Sequence, residues 1–182
     1  MTVIASRGQL RASFIRWSLF MVPLIVLLGF AAGRLGSPNT MWFQSLVKPG
    51  IFPPPITFAI VWTILYIMIG FAVALICSAW GARGRILALV LFALHFIFNL
   101  AWTPVFFGMQ QIEGGLIVIG MVLATLLLVI WAFWRVRRNA GLLLLPYLAW
   151  VAFATLLNYE FLRMNPDGGH GAVTEASQRF EI

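Results

Sequence analysis

The chain has 182 residues, of which 62% are hydrophobic and only 9% are charged, whereas soluble domains carry roughly 25% charged residues. So few polar side chains cannot cover a core of this size, which excludes a water-soluble globular domain and predicts a membrane protein. The net charge of +7 is spread over helix ends and connections, so it does not indicate a nucleic-acid partner.

Five apolar stretches are long enough, at about 20 residues, to cross a bilayer as helices. They cover residues 17–33, 56–80, 87–107, 114–134 and 141–162. The alternating strands of a membrane barrel do not occur in the sequence. We therefore predict an all-α integral membrane bundle of five transmembrane helices, forming one domain over residues 17–165. A basic leader (1–16) precedes it and a polar, disordered tail (166–182) follows.

The first stretch has two interpretations. Arg7, Arg11 and Arg16 precede an apolar run that ends in GFAAG, as in a signal peptide with a small-residue cleavage site. The run is about 17 residues, longer than the usual 7–15 of such a peptide, and this favours a retained helix. Its Gly29-x-x-x-Gly33 spacing indicates close helix packing.

The basic residues are distributed unevenly between the two ends of the predicted bundle. Eight fall on the side of the N-terminus and four on the opposite side. By the positive-inside rule this places the N-terminus in the cytoplasm and the C-terminus outside. The pattern is typical of a bacterial plasma membrane, with an outer membrane as the alternative.

The connection after the first span, residues 37–55, is long and reads SPNTMWFQSLVKPGIFPPP. The four prolines after Lys48 stiffen that part and prevent a regular helix. Long loops with their own apolar residues are commonly functional lids. We expect this loop to cover a pocket, and an aromatic belt at the membrane interface is the alternative.

Three spans carry polar and aromatic side chains on one helical face each. These faces are Phe58, Trp62, Tyr66 and Ile69 in the second span, His95, Asn99, Trp102 and Phe106 in the third, and Trp150, Ala154, Asn158 and Phe161 in the fifth. Arranged around one interior, they would form an aromatic cavity for a flat, apolar ligand with polar edges. The alternative is that Asn99 and Asn158 only bond across helices, and that His95 is a hydrogen-bonding partner rather than a haem ligand.

The spans contain no set of residues for general acid–base chemistry. Glu160 is their only acid, and we expect it to pair with Arg163, three residues further along the helix. Cys77 is the only cysteine, which excludes an intramolecular disulfide and a cysteine-rich metal site. We predict no catalytic set, no metal site and no obligatory cofactor. A coupled transporter is the least favoured function, because His95 is the lone titratable candidate in mid-span.

Several motifs in order, WFQSLVKPGIFPPP, VWTILY, NLAWTPVFFGM, PYLAW and LLNYEFLRMN, resemble the TspO/MBR family over roughly residues 17–165. These are the tryptophan-rich sensory proteins and the mitochondrial translocator proteins, or peripheral-type benzodiazepine receptors. The resemblance implies a retained first helix, a homodimer in the lipid bilayer and a pocket closed by the first loop. The ligand classes that it implies are porphyrins and haem, sterols and synthetic benzodiazepine-site compounds.

The resemblance also implies roles for individual residues. It assigns the pocket to the loop residues Trp42, Phe43 and Lys48 and to the helix residues Trp62, Asn99, Trp102 and Tyr159. Its proposed sterol motif falls on Leu157, Tyr159 and Arg163, a pattern that is weak by itself. The sequence departs from many members at Phe43, where they have tyrosine, and at Ile51, where they have tryptophan.

The function that follows is a sensor, regulator or carrier that binds tetrapyrroles and, as a further class, sterols. In this hypothesis Asn99 offers its amide to the ligand or the loop, and Thr103-Pro104 bends the third helix to widen the cavity. The alternative is a light-dependent enzyme that degrades porphyrin through Trp62 and Tyr159. Tyr159 stands where members reported to degrade porphyrin have tryptophan, which disfavours this alternative.

Overall fold

The computed structural model describes residues 6–168, and within them it has helices but no strand. The elements are α1 (Arg7–Gly33), α2 (Met41–Ser45), α3 (Pro55–Cys77), α4 (Arg85–Thr103), a π-helical turn (Pro104–Gly108), α5 (Ile112–Val136), α6 (Arg138–Leu143) and α7 (Leu145–Met164). Five helical segments are long and apolar enough to cross a membrane, with α6 and α7 together forming the fifth. This confirms the predicted fold. Most of the predicted disordered tail, with His170, lies outside the described residues.

The first helix begins earlier than the sequence predicts. It starts at Arg7, inside the predicted leader, instead of at Trp17. The cause is a capping box, in which Ser6 Oγ accepts from the Gln9 N–H at 3.2 Å and Gln9 Oε1 accepts from the Ser6 N–H at 2.8 Å. The basic residues at the start of the chain therefore belong to the same helix as the apolar span.

Prolines explain two irregularities in the later spans. Pro104 ends the regular part of α4, and a π-helical turn follows, closed by a hydrogen bond of 2.8 Å from the Met109 N–H to the Pro104 carbonyl. The fifth span, predicted as continuous, is interrupted at Leu144, because Pro146 in the next turn cannot donate a backbone hydrogen bond.

The helices form a closed ring. Going round it, α1 packs on α3, α3 on α6 and α7, α7 on α5, α5 on α4, and α4 on α1. Glycine allows the closest approach between α1 and α3: a Cβ at Gly70 would lie 2.6 Å from Val22 Cα. Gly29 faces the ring of Tyr66 with no space for a side chain, whereas a Cβ at Gly33 would meet nothing within 4 Å. Only the first glycine of the predicted pair therefore has a packing role within the bundle.

The loop between α1 and α3 folds back over one end of this ring. Its short helix α2 is capped by Thr40, whose hydroxyl accepts from the Phe43 N–H at 3.2 Å. Trp42 and Phe43 are both buried. The proline-rich part that follows is not helical until Pro55, as the sequence predicts.

Candidate functional site

A buried polar network joins four of the membrane helices near the centre of the bundle. Asn99 on α4 donates its amide N–H to the hydroxyl of Tyr147 on α7 at 2.7 Å, and its Oδ1 accepts from the hydroxyl of Tyr66 on α3 at 3.3 Å. His95 Nε2 lies 3.1 Å from the same Tyr147 hydroxyl, and its Nδ1 lies 3.0 Å from the hydroxyl of Thr125 on α5. The polar groups on this face therefore hold the helices together, as in the interhelical alternative.

Tyr147 is one of two residues of this network that were not predicted from the sequence. It is 1% exposed and its ring centroid lies 5.6 Å from that of His95. The signal was present, since Tyr147 lies one helical step before the predicted Trp150 face and carries a hydroxyl within an apolar span. Thr125 was missed for a simpler reason: it is an isolated hydroxyl that also bonds to the carbonyl of Met121 in its own helix.

A second polar bridge lies closer to the loop. The indole N–H of Trp102 donates to Asn158 Oδ1 at 3.1 Å, and the amide of Asn158 donates to the carbonyl of Ile112 at 3.0 Å. The bridge therefore ties α4, α7 and the start of α5 together. Gly115 makes room for it, because a Cβ there would lie 3.1 Å from Asn158 Oδ1 and 2.7 Å from Phe106 Cδ2.

The loop contributes its aromatic pair to a packed group of rings, which we call the lid cluster. Phe43 stands at the centre, with ring centroids 5.0 Å from Phe107, 5.7 Å from Phe161 and 6.4 Å from Phe106. The full cluster consists of Trp42, Phe43, Phe52, Phe106, Phe107 and Phe161. The loop thus lies over the end of the bundle, and its rings fill the space beneath it.

The sequence predicts an aromatic cavity, and in the structure several rings of the predicted lining pack against one another. Trp102 stacks on Phe106 with centroids 5.1 Å apart, and Trp62 lies 5.2 Å from Tyr66 and 6.1 Å from Tyr147. Interdigitated large rings gain dispersion and are stable without a ligand. A ligand of tetrapyrrole size needs some of these rings to move aside.

Asn165, just after α7, latches the loop to the bundle. Its Oδ1 accepts from the Val47 N–H at 2.8 Å, and its amide donates to the Val47 carbonyl at 3.1 Å. The Trp42 indole N–H donates to the carbonyl of Gly168 at 2.8 Å, which adds a second attachment. Both contacts join the loop to the same short segment after α7.

Lys48 is used inside the loop itself. Its ammonium donates to the carbonyls of Phe43 at 2.6 Å, Leu46 at 3.0 Å and Gln44 at 3.3 Å, and it lies 4.7 Å from the centroid of the Phe43 ring. It thereby completes the C-terminal end of α2. Burial lowers the pKa of Lys48 below its usual range. All three donors of the ammonium are engaged, so the structure does not direct it towards a ligand.

Trp150 and Ala154 lie half-buried on α7. The Trp150 ring packs against Phe58 on α3 at 5.7 Å and against Phe153 at 5.4 Å. Its indole Nε1 is buried and has no hydrogen-bond partner among the described residues. An unsatisfied buried donor is rare and costs free energy, so this atom marks a place where an acceptor would be stabilising.

The sterol motif residues point in two directions. Leu157 is buried in the lid cluster region, whereas Tyr159 is 51% exposed on the outer face of α7. Arg163 shares that outer face and forms the predicted ion pair with Glu160, with Nη2 2.8 Å from Oε2. The structure therefore separates Tyr159 from Trp62 and the other predicted pocket residues.

Within residues 6–168, no group of three or more histidine, cysteine, aspartate or glutamate side chains is placed to hold a metal ion. What the site offers instead is aromatic surface, amide and hydroxyl groups, and the unpaired indole N–H. Such a lining suits an apolar, flat molecule with hydrogen-bond acceptors.

Comparison with known proteins gives consistent matches over the whole bundle. The model of the TspO/MBR family matches residues 21–164. The tryptophan-rich protein TspO of Chlorobaculum tepidum is 40% identical over 147 residues, which cover 80% of this chain and 93% of that protein. The tryptophan-rich sensory protein of Cereibacter sphaeroides is 36% identical over 150 residues, covering 82% and 92%. The translocator protein of Bos taurus is 35% identical over 150 residues, covering 76% and 86%.

Proposed function

Because the chain belongs to the TspO/MBR family of multi-pass membrane proteins, we propose that it binds tetrapyrroles of the porphyrin and haem type beneath the loop of residues 37–55. It acts as a sensor, regulator or carrier of these ligands and works as a homodimer. Its basic end faces the cytoplasm, which places the loop and the lid cluster at the outer surface of a bacterial plasma membrane.

The observation that carries this proposal is the unpaired indole N–H of Trp150. It lies in a wall of aromatic rings beside Phe58, whose ring is 5.5 Å from that of the loop residue Phe52. A tetrapyrrole presents broad π-faces for such rings and carboxylate or carbonyl oxygens at its edge. One of those oxygens would accept from Trp150, removing the cost of the unsatisfied donor.

Binding requires the loop to swing away and take Phe43 and Phe52 out of the lid cluster. Few polar contacts oppose this movement, chiefly those of Asn165 with Val47 and of Trp42 with Gly168. The ring of the ligand then replaces the loop rings against Phe106 and Phe161, so the apolar area exposed by opening is covered again. The polar network around Asn99 keeps the helices in place meanwhile.

The test is a titration of purified full-length protein with protoporphyrin, followed by the Soret absorbance of the porphyrin. We expect saturable binding by the wild type. Trp150→Phe keeps an aromatic ring and removes the N–H, so we expect a dissociation constant about tenfold higher, the equivalent of one hydrogen bond of about 1.4 kcal/mol. Trp131→Phe is the matched control, because Trp131 is 51% exposed on α5 and contacts Arg135 rather than the loop.

Two results would count against the proposal in different ways. Wild-type protein that shows no saturable Soret change does not have the proposed function. If Trp150→Phe binds protoporphyrin as tightly as the wild type, the protein has the proposed function but Trp150 is not part of the binding site. Equal weakening by Trp131→Phe would indicate adsorption to the outer aromatic surface.

Sterols are a second ligand class, for which the exposed face of α7 is the observation. Tyr159 and Arg163 are one turn apart on the lipid-facing side, where a ring system could lie along the helix with its hydroxyl near the arginine. Tyr159→Ala should reduce crosslinking of a photoreactive sterol, while protoporphyrin binding stays within twofold of the wild type. Unchanged sterol crosslinking would exclude this face.

A further inference from the structure

A groove of about 640 Å³ lies at the end of the bundle opposite the loop. It is bounded by the first turns of α1, the connection between α3 and α4, and the junction of α5 with α6. The residues that matter for its chemistry are Gln9, Ser13, Arg16, Ser78, Trp80 and Arg137. Its volume is within the range of about 300–1,000 Å³ that small-molecule sites occupy.

The charge at this end is positive and is not neutralised by the protein. Among residues 6–168, the acidic side chains are Glu113, Glu160 and Asp167, and all three lie at the loop end of the bundle. Two arginines line the groove from different elements, Arg16 on α1 and Arg137 at the junction of α5 with α6. Neither forms an ion pair within the described part of the chain.

The C-terminal carbonyls of α3 would weaken anion binding here, since a helix C-terminus carries partial negative charge. Arg85 offsets this effect. Its Nε donates to the carbonyl of Ile76 at 3.2 Å and its Nη2 donates to that of Cys77 at 3.0 Å. Arg85 is therefore occupied with the backbone, whereas Arg16 and Arg137 remain available to a ligand.

Trp80 indicates the level at which the groove lies relative to the membrane. Its ring is 70% exposed at the rim, with the guanidinium carbon of Arg85 4.3 Å from the ring centroid. Exposed tryptophans at helix ends lie at the level of lipid headgroups. The groove therefore opens where phosphates of the adjacent leaflet are present at high local concentration.

From this geometry we propose that the groove is a binding site for the phosphate group of an acidic phospholipid. Arginine recognises phosphate through paired N–H donors, and here Arg16 and Arg137 clamp it from two sides. Ser13 and Gln9 supply neutral donors for the rest of the headgroup. The bound lipid would tie the start of α1 to the end of α5, and its binding is independent of any ligand beneath the loop.

The experiment uses native mass spectrometry of delipidated full-length protein in neutral detergent, titrated with short-chain phosphatidylglycerol, phosphatidylcholine or inorganic phosphate. We expect one tight adduct with phosphatidylglycerol. Phosphatidylcholine should bind the protein at least tenfold more weakly, and inorganic phosphate should give no saturable adduct. In Arg16→Gln/Arg137→Gln the tight adduct should weaken at least tenfold. Arg16→Lys/Arg137→Lys keeps the charge and should recover part of the affinity.

Arg138→Gln is the matched control, because Arg138 is exposed at the same end of the bundle but does not line the groove. It should bind phosphatidylglycerol with an affinity within twofold of the wild type.

If Arg138→Gln weakens binding as much as the double glutamine variant does, the lipid is held by diffuse charge attraction and not by a defined site. Wild-type affinity in the double glutamine variant, or equal affinity for phosphatidylcholine, overturns the site. Saturable binding of inorganic phosphate that depends on the same two arginines overturns the lipid assignment. Thermal unfolding curves of each variant show whether it is folded.

Discussion

Asn99 donates a hydrogen bond of 2.7 Å to the hydroxyl of Tyr147, although the two residues are 48 positions apart in the chain. This contact joins α4 to α7 across the centre of the ring. The same hydroxyl lies 3.1 Å from His95 Nε2, so one oxygen atom satisfies two buried side chains. A membrane offers no water to replace it.

Tyr147→Phe should therefore destabilise the bundle, although the volume of the side chain hardly changes. It removes the hydroxyl, so the Asn99 amide N–H and His95 Nε2 lose this partner, while Asn99 Oδ1 keeps Tyr66 and His95 Nδ1 keeps Thr125. The loss should lower the free energy of unfolding by about 1–2 kcal/mol. Unfolding by SDS in mixed micelles measures the change. Tyr159→Phe is the control, since the Tyr159 ring is 51% exposed, and it should have no effect. A Tyr147→Phe variant as stable as the wild type would mean that Tyr147 contributes by its ring and not by its hydroxyl.

Gly115→Ala and Gly120→Ala form a second matched pair on one helix. At Gly115 a Cβ would lie 2.7 Å from the Phe106 ring and 3.1 Å from Asn158 Oδ1, whereas at Gly120 nothing lies within 4 Å. We expect Gly115→Ala to lower the free energy of unfolding by about 1–3 kcal/mol through overpacking. Gly120→Ala should be neutral or slightly stabilising, because alanine favours helix. The same SDS titration tests both, and equal stability of the two variants would contradict the close packing of α5 on α7.

These contacts show what the sequence could and could not predict. Helical periodicity places Tyr66, His95 and Asn99 on interior faces, and the structure buries all three. Periodicity does not say which helices are neighbours, so the partners of Asn99 on α3 and α7 could not be identified from spacing. The same limit applies to Lys48: the family resemblance assigns it to the pocket, but the sequence does not show the three loop carbonyls that it binds.

Tyr159 shows a different limit. Its step of one residue from Asn158 turns it by about 100° around the helix, which carries it from the interior to the outer face. The family resemblance assigned it to the pocket, and the structure leaves it 51% exposed. Aromatic faces that converge can enclose a ligand or pack against each other, and composition does not distinguish the two outcomes.

The latch predicts how the loop responds to mutation. Asn165→Ala removes both hydrogen bonds to Val47 and should increase opening of the loop, so the Val47 amide should exchange with deuterium about tenfold faster. Asn165→Asp keeps the acceptor for the Val47 N–H and should have a smaller effect. Asn139→Ala, on an exposed residue at the opposite end of the bundle, is the control and should leave exchange unchanged. Wild-type exchange rates in Asn165→Ala would show that the rings of the lid cluster alone hold the loop.

Light-driven breakdown of porphyrin gives the last prediction. An electron relay through indole and phenol rings needs them close together, and Trp62 has such neighbours in Tyr66 at 5.2 Å and Tyr147 at 6.1 Å. Tyr159 does not belong to this group, because it is exposed on the outer face of α7. Introducing tryptophan there should therefore fail to create activity: under illumination, Tyr159→Trp, Trp62→Phe and the wild type should bleach bound porphyrin at the same rate. Loss of the Soret band and the appearance of a new absorbing product measure this. A product that forms in the wild type and is absent in Trp62→Phe would establish the enzymatic alternative. Trp62 alone, and not the pair Trp62 and Tyr159, would then carry the reaction.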